Sequence, residues 1–340
     1  MTITTVARPG WAIVGTGAIA TQFAEDLVSQ RNTNPVAVVS RTKERAVAFG
    51  SKYGIPLDGC YDDMDALLKD PRVNVVYIAT PHTRHVEESI RCIEAQKHVL
   101  CEKPLALRSA DAQRVYDAAK KHNVFCMEAL WSRFIPALVE VKKLVQGGEL
   151  GRLLSVDVDF GFDGSDAPAR LMDPALGGGA LFDIGIYPIA LATSLLPPGA
   201  GAPELVQARA RRADNSCDRT FDAELAYPTA KDNAVALTMR LSVVEDTSQV
   251  AVVRGTKGVL VVDAPQHSPD SFTVNGVRKE VPKAGHGLHY QVGEVEACIA
   301  AGQLQSASVT WQESVQWAAT LERLQAAELS AARARKTGRV

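Results

Sequence analysis

Strand and helix patterns alternate through the first 130 residues, and this alternation limits the possible folds more than any other feature of the chain. Trp11–Val14 reads as a strand and Ala18–Gln30 as a helix, and Pro35–Ser40 and Lys43–Tyr53 repeat the pair. A short helix at Asp62–Lys69 precedes Val73–Ala79, an almost unbroken apolar strand. Thr83–Ala95, His98–Cys101, Ser109–Lys121 and Val124–Met127 continue as helix, strand, helix and strand. Such a series predicts a parallel sheet with helices on both faces. The run Val75-Val76-Tyr77-Ile78-Ala79 suits a strand buried on both sides.

Beyond about residue 150 the pattern changes. Leu153–Phe160, Leu205–Arg211, Ala223–Tyr227, Asn233–Leu241, Gln249–Arg254 and Gly258–Val262 read as strands with no helices between most of them. They predict an antiparallel or mixed sheet. Two helices close the chain, at about Tyr290–Ala301 and Thr310–Ala332. At 340 residues the chain exceeds one ordinary core. The expected fold is α/β in two domains, residues 1–129 and 130–340, with the last helix packing back on the first domain.

Composition removes several classes of function. Net charge is −2 with both signs interspersed, and no basic tract points to nucleic acid. No apolar run reaches the roughly 18 residues of a membrane span. Met1–Gly10 lacks an apolar leader, so no secretory signal is expected. The six cysteines form no C-x-x-C pair, which suits free thiols in a reducing cytoplasm. No His/Cys spacing suggests a metal site.

Gly15-x-Gly17-x-x-Ala20 lies between the first strand and the first helix. The first glycine permits a tight turn, and the second lets a pyrophosphate approach the backbone. The helix start, with Thr16, Ala18 and Ile19, favours phosphate charge. This arrangement predicts a nicotinamide dinucleotide. NAD enzymes usually place a carboxylate at the end of the second strand. Here stand Ser40 and Arg41, with Arg45 one turn on. A guanidinium there can fork onto a 2′-phosphate, so NADP is preferred over NAD; otherwise Arg41 only caps the sheet edge in solvent. Thr80, Pro81, His82 and His85 follow the third long strand, at the sheet end where such folds bind ligands. The two histidines are read either as contacts or as structural residues.

Three further runs carry chemistry. Glu102-Lys103-Pro104 ends a strand with a lysine that can polarise a substrate oxygen or move a proton, unless it is a plain surface lysine. Gly177-Gly178-Gly179 leads into a segment where Asp183 and Tyr187, at i and i+4, share one helix face. A carboxylate and a phenol suit hydroxyl recognition and proton transfer; an amphipathic helix explains them equally. In Met127-Glu128-Ala129-Leu130-Trp131-Ser132-Arg133-Phe134, the residues Trp131, Arg133 and Phe134 can wall a nicotinamide, with Phe160 and Phe162 facing them on the substrate side. Otherwise these aromatics belong to the core, as aromatics at such spacing more often do.

Together these runs resemble the glucose–fructose oxidoreductase/inositol dehydrogenase (Gfo/Idh/MocA) family, over most of the chain. M-E-A-x-W-x-R-F and G-G-G-A-L-x-D-I-G-x-Y resemble a branch holding dimeric dihydrodiol dehydrogenases and NADP-dependent D-xylose dehydrogenases. The resemblance implies a Rossmann domain followed by an α/β domain with a large, predominantly antiparallel, open-faced sheet that carries the substrate pocket on one face. It implies a homodimer or homotetramer through the other face. It also implies that Tyr187 is the general acid/base, assisted by Lys103 and Asp183, with Arg41 and Arg45 on the 2′-phosphate. The expected substrate is a polyol, sugar or diol. Residues 164–174 and 284–290 are expected to border the pocket. The same fold also hosts a dinucleotide-sensing regulator and NAD-retaining glycosidases. Retention of Lys103, Asp183 and Tyr187 argues against the first; Ser40-Arg41 and Tyr187 argue against the second.

Overall fold

The computed structural model describes residues 8–31, 33–167, 169–214, 217–229 and 233–336. Residues 1–7 of the N-terminal stretch and Pro168 of the 164–174 loop lie outside them. The chain forms two compact units.

The first unit holds β1 (Trp11–Val14), α1 (Ala18–Arg31), β2 (Ala37–Val39), α2 (Lys43–Tyr53), β3 (Cys60–Tyr61), α3 (Met64–Leu68), β4 (Val75–Ile78), α4 (His85–Glu94), β5 (His98–Glu102), α5 (Ser109–His122) and β6 (Cys126–Ala129). Six parallel strands run in the order β3-β2-β1-β4-β5-β6. The order reverses between β1 and β4, which creates the crevice where doubly wound sheets bind dinucleotides. β1 and β4 are buried along their whole length, as their unbroken apolar sequence predicts. Phe23 of α1 stacks on Tyr77 of β4 with ring centroids 3.7 Å apart. Burying each such ring contributes about 2 kcal/mol.

The second unit adds α6 (Pro136–Gln146), β7 (Leu153–Gly161), α7 (Ala180–Ile184), α8 (Ile186–Leu195), β8 (Glu204–Arg212), β9 (Asp218–Thr229), β10 (Asn233–Ser242), β11 (Ala251–Gly255), β12 (Gly258–Val262), β13 (Ser271–Val274) and β14 (Val277–Glu280). Their order is β14-β13-β12-β11-β7-β10-β9-β8, antiparallel throughout except for β7 beside β10. Phe221, Ala223, Leu225 and Tyr227 of β9 point inward and are buried, while Asp222 between them is exposed. This period of two gives the sheet one covered and one open face.

Three expectations need correction. The units divide after Trp131, close to the expected residue 129, but two segments change sides, Ala106–Ala110 to the second unit and Ala284–Trp311 to the first. Ala284–Trp311, containing α9 (His289–Ala300), belongs with the first, and the remainder of α10 (Trp311–Lys336) belongs with the second. Of the last helix only its first residue, Trp311, belongs to the first unit, stacking on Tyr116 of α5 and donating its indole N–H to the Cys126 carbonyl at 2.8 Å, whereas the penultimate helix α9 returns to that unit whole. Asp26 of α1 is the cause: its buried carboxylate accepts the backbone N–H groups of His286 and Leu288 at 2.8 Å and of His289 at 3.2 Å. Second, Pro174–Leu195 is long and apolar enough to cross a membrane. Its residues 177–192 are instead buried within the protein, as a core segment under the second sheet. Third, the helical stretch that carries Asp183 and Tyr187 divides into two: α7 ends at Ile184 and α8 begins at Ile186, with Gly185 between them still at helical φ −67 and ψ −20, so the two residues remain one turn apart.

Candidate active site

The predicted cofactor residues gather at the carboxyl ends of β1, β2, β4 and β5. Gly15 has φ +102, and a Cβ there would meet the Ala79 carbonyl at 2.7 Å, so only glycine turns this corner. Gly17 faces open space, which leaves its backbone accessible to a phosphate. α1 carries no acidic residue in its first turn, so its N-terminus presents only donors to an anion. The Thr16 and Ser40 hydroxyls lie 3.0 Å apart. Arg41 and Arg45 are exposed beside them, and Thr42 caps α2 by accepting the Arg45 N–H at 3.4 Å. These residues fit a dinucleotide with its pyrophosphate on α1 and its adenosine ribose near β2.

Between the β4 and β5 loops the contacts are structural. His85 is fully buried; its Nδ1 lies 2.8 Å from the Pro104 carbonyl and its Nε2 lies 2.8 Å from the Thr80 carbonyl. It therefore ties the Thr80-Pro81-His82 turn to the Glu102-Lys103-Pro104 turn. Glu102 receives the Tyr77 phenol at 2.6 Å and the Lys103 backbone N–H at 3.2 Å. Glu128 receives the Leu105 N–H at 2.8 Å. Two buried carboxylates thus hold the loop on which Lys103 stands, and the Lys103 side chain is half-exposed. Trp131, the last residue of this half-site, is nearly buried.

The second unit carries the other half of the predicted chemistry. Tyr187 at the start of α8 packs against Phe160 of β7, with ring centroids 5.7 Å apart. His267 stacks on Phe160 at 4.5 Å and lies 5.1 Å from Tyr187. Phe162 adds a fourth ring, 6.5 Å from Phe160. Asp183, one turn before Tyr187, pairs with Arg170 at 3.1 Å. A cavity of about 20 Å³, room for one water, is lined by Tyr187, His267, Gln266, Arg133, Lys142 and neighbours.

Arg133, expected at the cofactor, is committed elsewhere. Its guanidinium is buried, pairs with Glu313 at 3.0 Å, donates to Thr193 at 3.1 Å and lies over Trp317. Burial lowers its pKa and the Glu313 charge opposes that shift. The residues that sequence reading missed are His267, Arg170 and Asp218. His267 lies in a loop without periodicity and meets Tyr187 from far along the chain, Arg170 lies in the 164–174 loop expected at the pocket, and Asp218 opens β9, where only its contact with Leu181 shows its task. Only the three glycines before α7 signalled a close backbone approach there.

A dinucleotide crevice in one unit, and a phenol–carboxylate pair on the covered face of an open sheet in the other, define a nucleotide-dependent oxidoreductase. Known families agree. Residues 10–130 match the model described as "Oxidoreductase family, NAD-binding Rossmann fold". Residues 138–261 match the GFO/IDH/MocA C-terminal domain. The chain belongs to the Gfo/Idh/MocA oxidoreductase family. It is 34% identical to mouse trans-1,2-dihydrobenzene-1,2-diol dehydrogenase, over 92% of this chain and 94% of that one. The human enzyme of that name is 33% identical, over 93% and 96%. Among solved structures, the aldose–aldose oxidoreductase of Caulobacter crescentus, complexed with glycerol, superposes with a TM-score of 0.83 at 27% identity, over 96% and 98%.

Proposed function

We propose that this protein is an NADP-dependent dehydrogenase/reductase acting on a CH–OH group of a sugar or cyclic diol. The observation that carries this reading is the placement of Tyr187 and Asp183 one turn apart beside Phe160 and His267. Bound on the first sheet, NADP supplies a carbon that accepts or returns hydride. Tyr187 takes the hydroxyl proton in oxidation and gives it back in reduction. Lys103 assists that transfer with its positive charge, and Asp183 accepts hydrogen bonds from substrate hydroxyls. The apolar faces of Phe160 and Phe162 suit the CH face of a ring. Ser40-Arg41 supports NADP over NAD, because a carboxylate in that place would repel a 2′-phosphate. The substrate class follows the relatives, which are named for a cyclic diol and for aldoses.

The test is turnover of NADP with a panel of aldoses and cyclic diols, followed by absorbance of the reduced cofactor. Turnover is expected for at least one member. Tyr187→Phe and Lys103→Met should each lower kcat by about 10²–10⁴-fold. Full activity in either variant, or no turnover on the whole panel, would reject the reading.

A further inference from the structure

α7 begins without a side-chain cap of its own, because the residue before it is Gly179, at φ +113. The first turn of any helix leaves backbone N–H groups without intrahelical partners. Here Asp218, the first residue of β9, supplies the acceptor: its Oδ2 receives the Leu181 N–H at 2.8 Å. A Cβ on Gly179 would stand 2.3 Å from Asp218 Oδ1. Glycine at this position is what lets the carboxylate close on the helix end. The Asp183 N–H then donates to the Gly179 carbonyl at 3.0 Å, so the capped turn is the one that carries Asp183. Tyr187 follows on α8.

We infer that Asp218 is a positioning residue for the proton-transferring pair, capping α7 from a neighbouring strand and so fixing where Asp183 and Tyr187 present their polar groups. This rests on the role proposed above for Tyr187. Asp218 is only 5% exposed. Burial pushes its carboxyl up to about 6, against the Leu181 hydrogen bond and the Arg212 charge. The charged groups facing it are Arg212 of β8 and Glu328 of α10, which pair with each other. Arg219 and Asp173 act on the adjoining Cys217 thiol. Protonation turns a charge-assisted cap into a neutral, weaker one. The pair is therefore held most firmly above about pH 6 and loosens below it.

Full-length Asp218→Asn and Asp218→Ala test this, with hydrogen exchange at the Leu181 amide as a second readout. Asparagine keeps an acceptor and loses the charge. Its kcat at high pH should fall to about the level the wild type shows at low pH, a change of ~5-fold, with no ionisation near 6 and an unchanged KM for the nucleotide. Alanine should lower kcat by about 10-fold or more and speed exchange at Leu181 to a similar degree. Where the alanine variant does not fold, asparagine and the wild-type pH profile carry the comparison. Wild-type kcat with an unaltered acid limb in Asp218→Asn would overturn the inference, as would unchanged Leu181 exchange in Asp218→Ala. The exchange readout needs no turnover. It thus separates a failed cap from a failed assignment of Tyr187, which Tyr187→Phe decides.

Discussion

At the end of β2 the side chains are Ser40 and Arg41, and Arg41 is exposed beside the hydroxyls of Thr16 and Ser40. An arginine fork onto a phosphate is worth about 1.5–3 kcal/mol, or ~10–100-fold in affinity. Arg41→Ala should raise the KM for NADP by about that factor and leave the KM for NAD unchanged. Titrating both nucleotides against the variant checks this; equal losses for both would remove Arg41 from the 2′-phosphate. Arg41 could be singled out from sequence because its position depends on one neighbour, the preceding strand. The place of Arg133 could not be read that way. Its partner Glu313 is far along the chain on α10, which also brings Trp317, and Thr193 comes from α8. No local spacing encodes such a convergence.

Among elements, α1 has two tasks. Its N-terminus faces the pyrophosphate site, and Asp26 in its middle gathers three backbone N–H groups from residues 286–289 and lies 3.3 Å from His289 Nδ1. Removing a buried acceptor strands every donor it served. Asp26→Ala should therefore cost about 3–5 kcal/mol, read as a lower denaturant midpoint at constant slope. A midpoint shift under ~1 kcal/mol would mean that the loop finds other partners. Five of the six strands of the first sheet were legible because each repeats a local period, whereas β3, two residues at the sheet edge, is too short to show one. The second sheet was legible as a class, but β13 and β14 were not foreseen, and β8 and β9 run longer than their apolar cores suggest. Their outer residues are charged, so apolar alternation marks only part of each strand. The α7–α8 break escaped notice because Gly185 leaves the i,i+4 spacing of Asp183 and Tyr187 intact.

For the whole molecule, two carboxyls pull stability in opposite directions with pH. Asp70, hydrogen-bonded chiefly by Arg72, is lowered to about 2 from 3.8. Its contribution is present above about pH 4 and is lost as pH falls toward 2. Asp218 is raised to about 6. Its contribution is full below about pH 4 and is lost as pH rises through 6. A shift of about two units corresponds to about 3 kcal/mol. Asp218→Asn should therefore gain on the wild type in melting temperature between pH 4 and pH 8, even as it loses activity. Thermal melts at a series of pH values check this, and parallel curves would contradict it. The cap would then be a residue retained for catalysis at the expense of stability.

The return of Ala284–Trp311 to the first unit also bears on how the chain is made. A ribosome that has passed Trp131 has delivered every strand of the nucleotide-binding sheet, yet Asp26 still lacks the backbone it binds. At ~5–20 residues per second that backbone emerges about 10–30 s later, after the entire second sheet. The half of the protein that is synthesised first is thus the half that must wait to be finished.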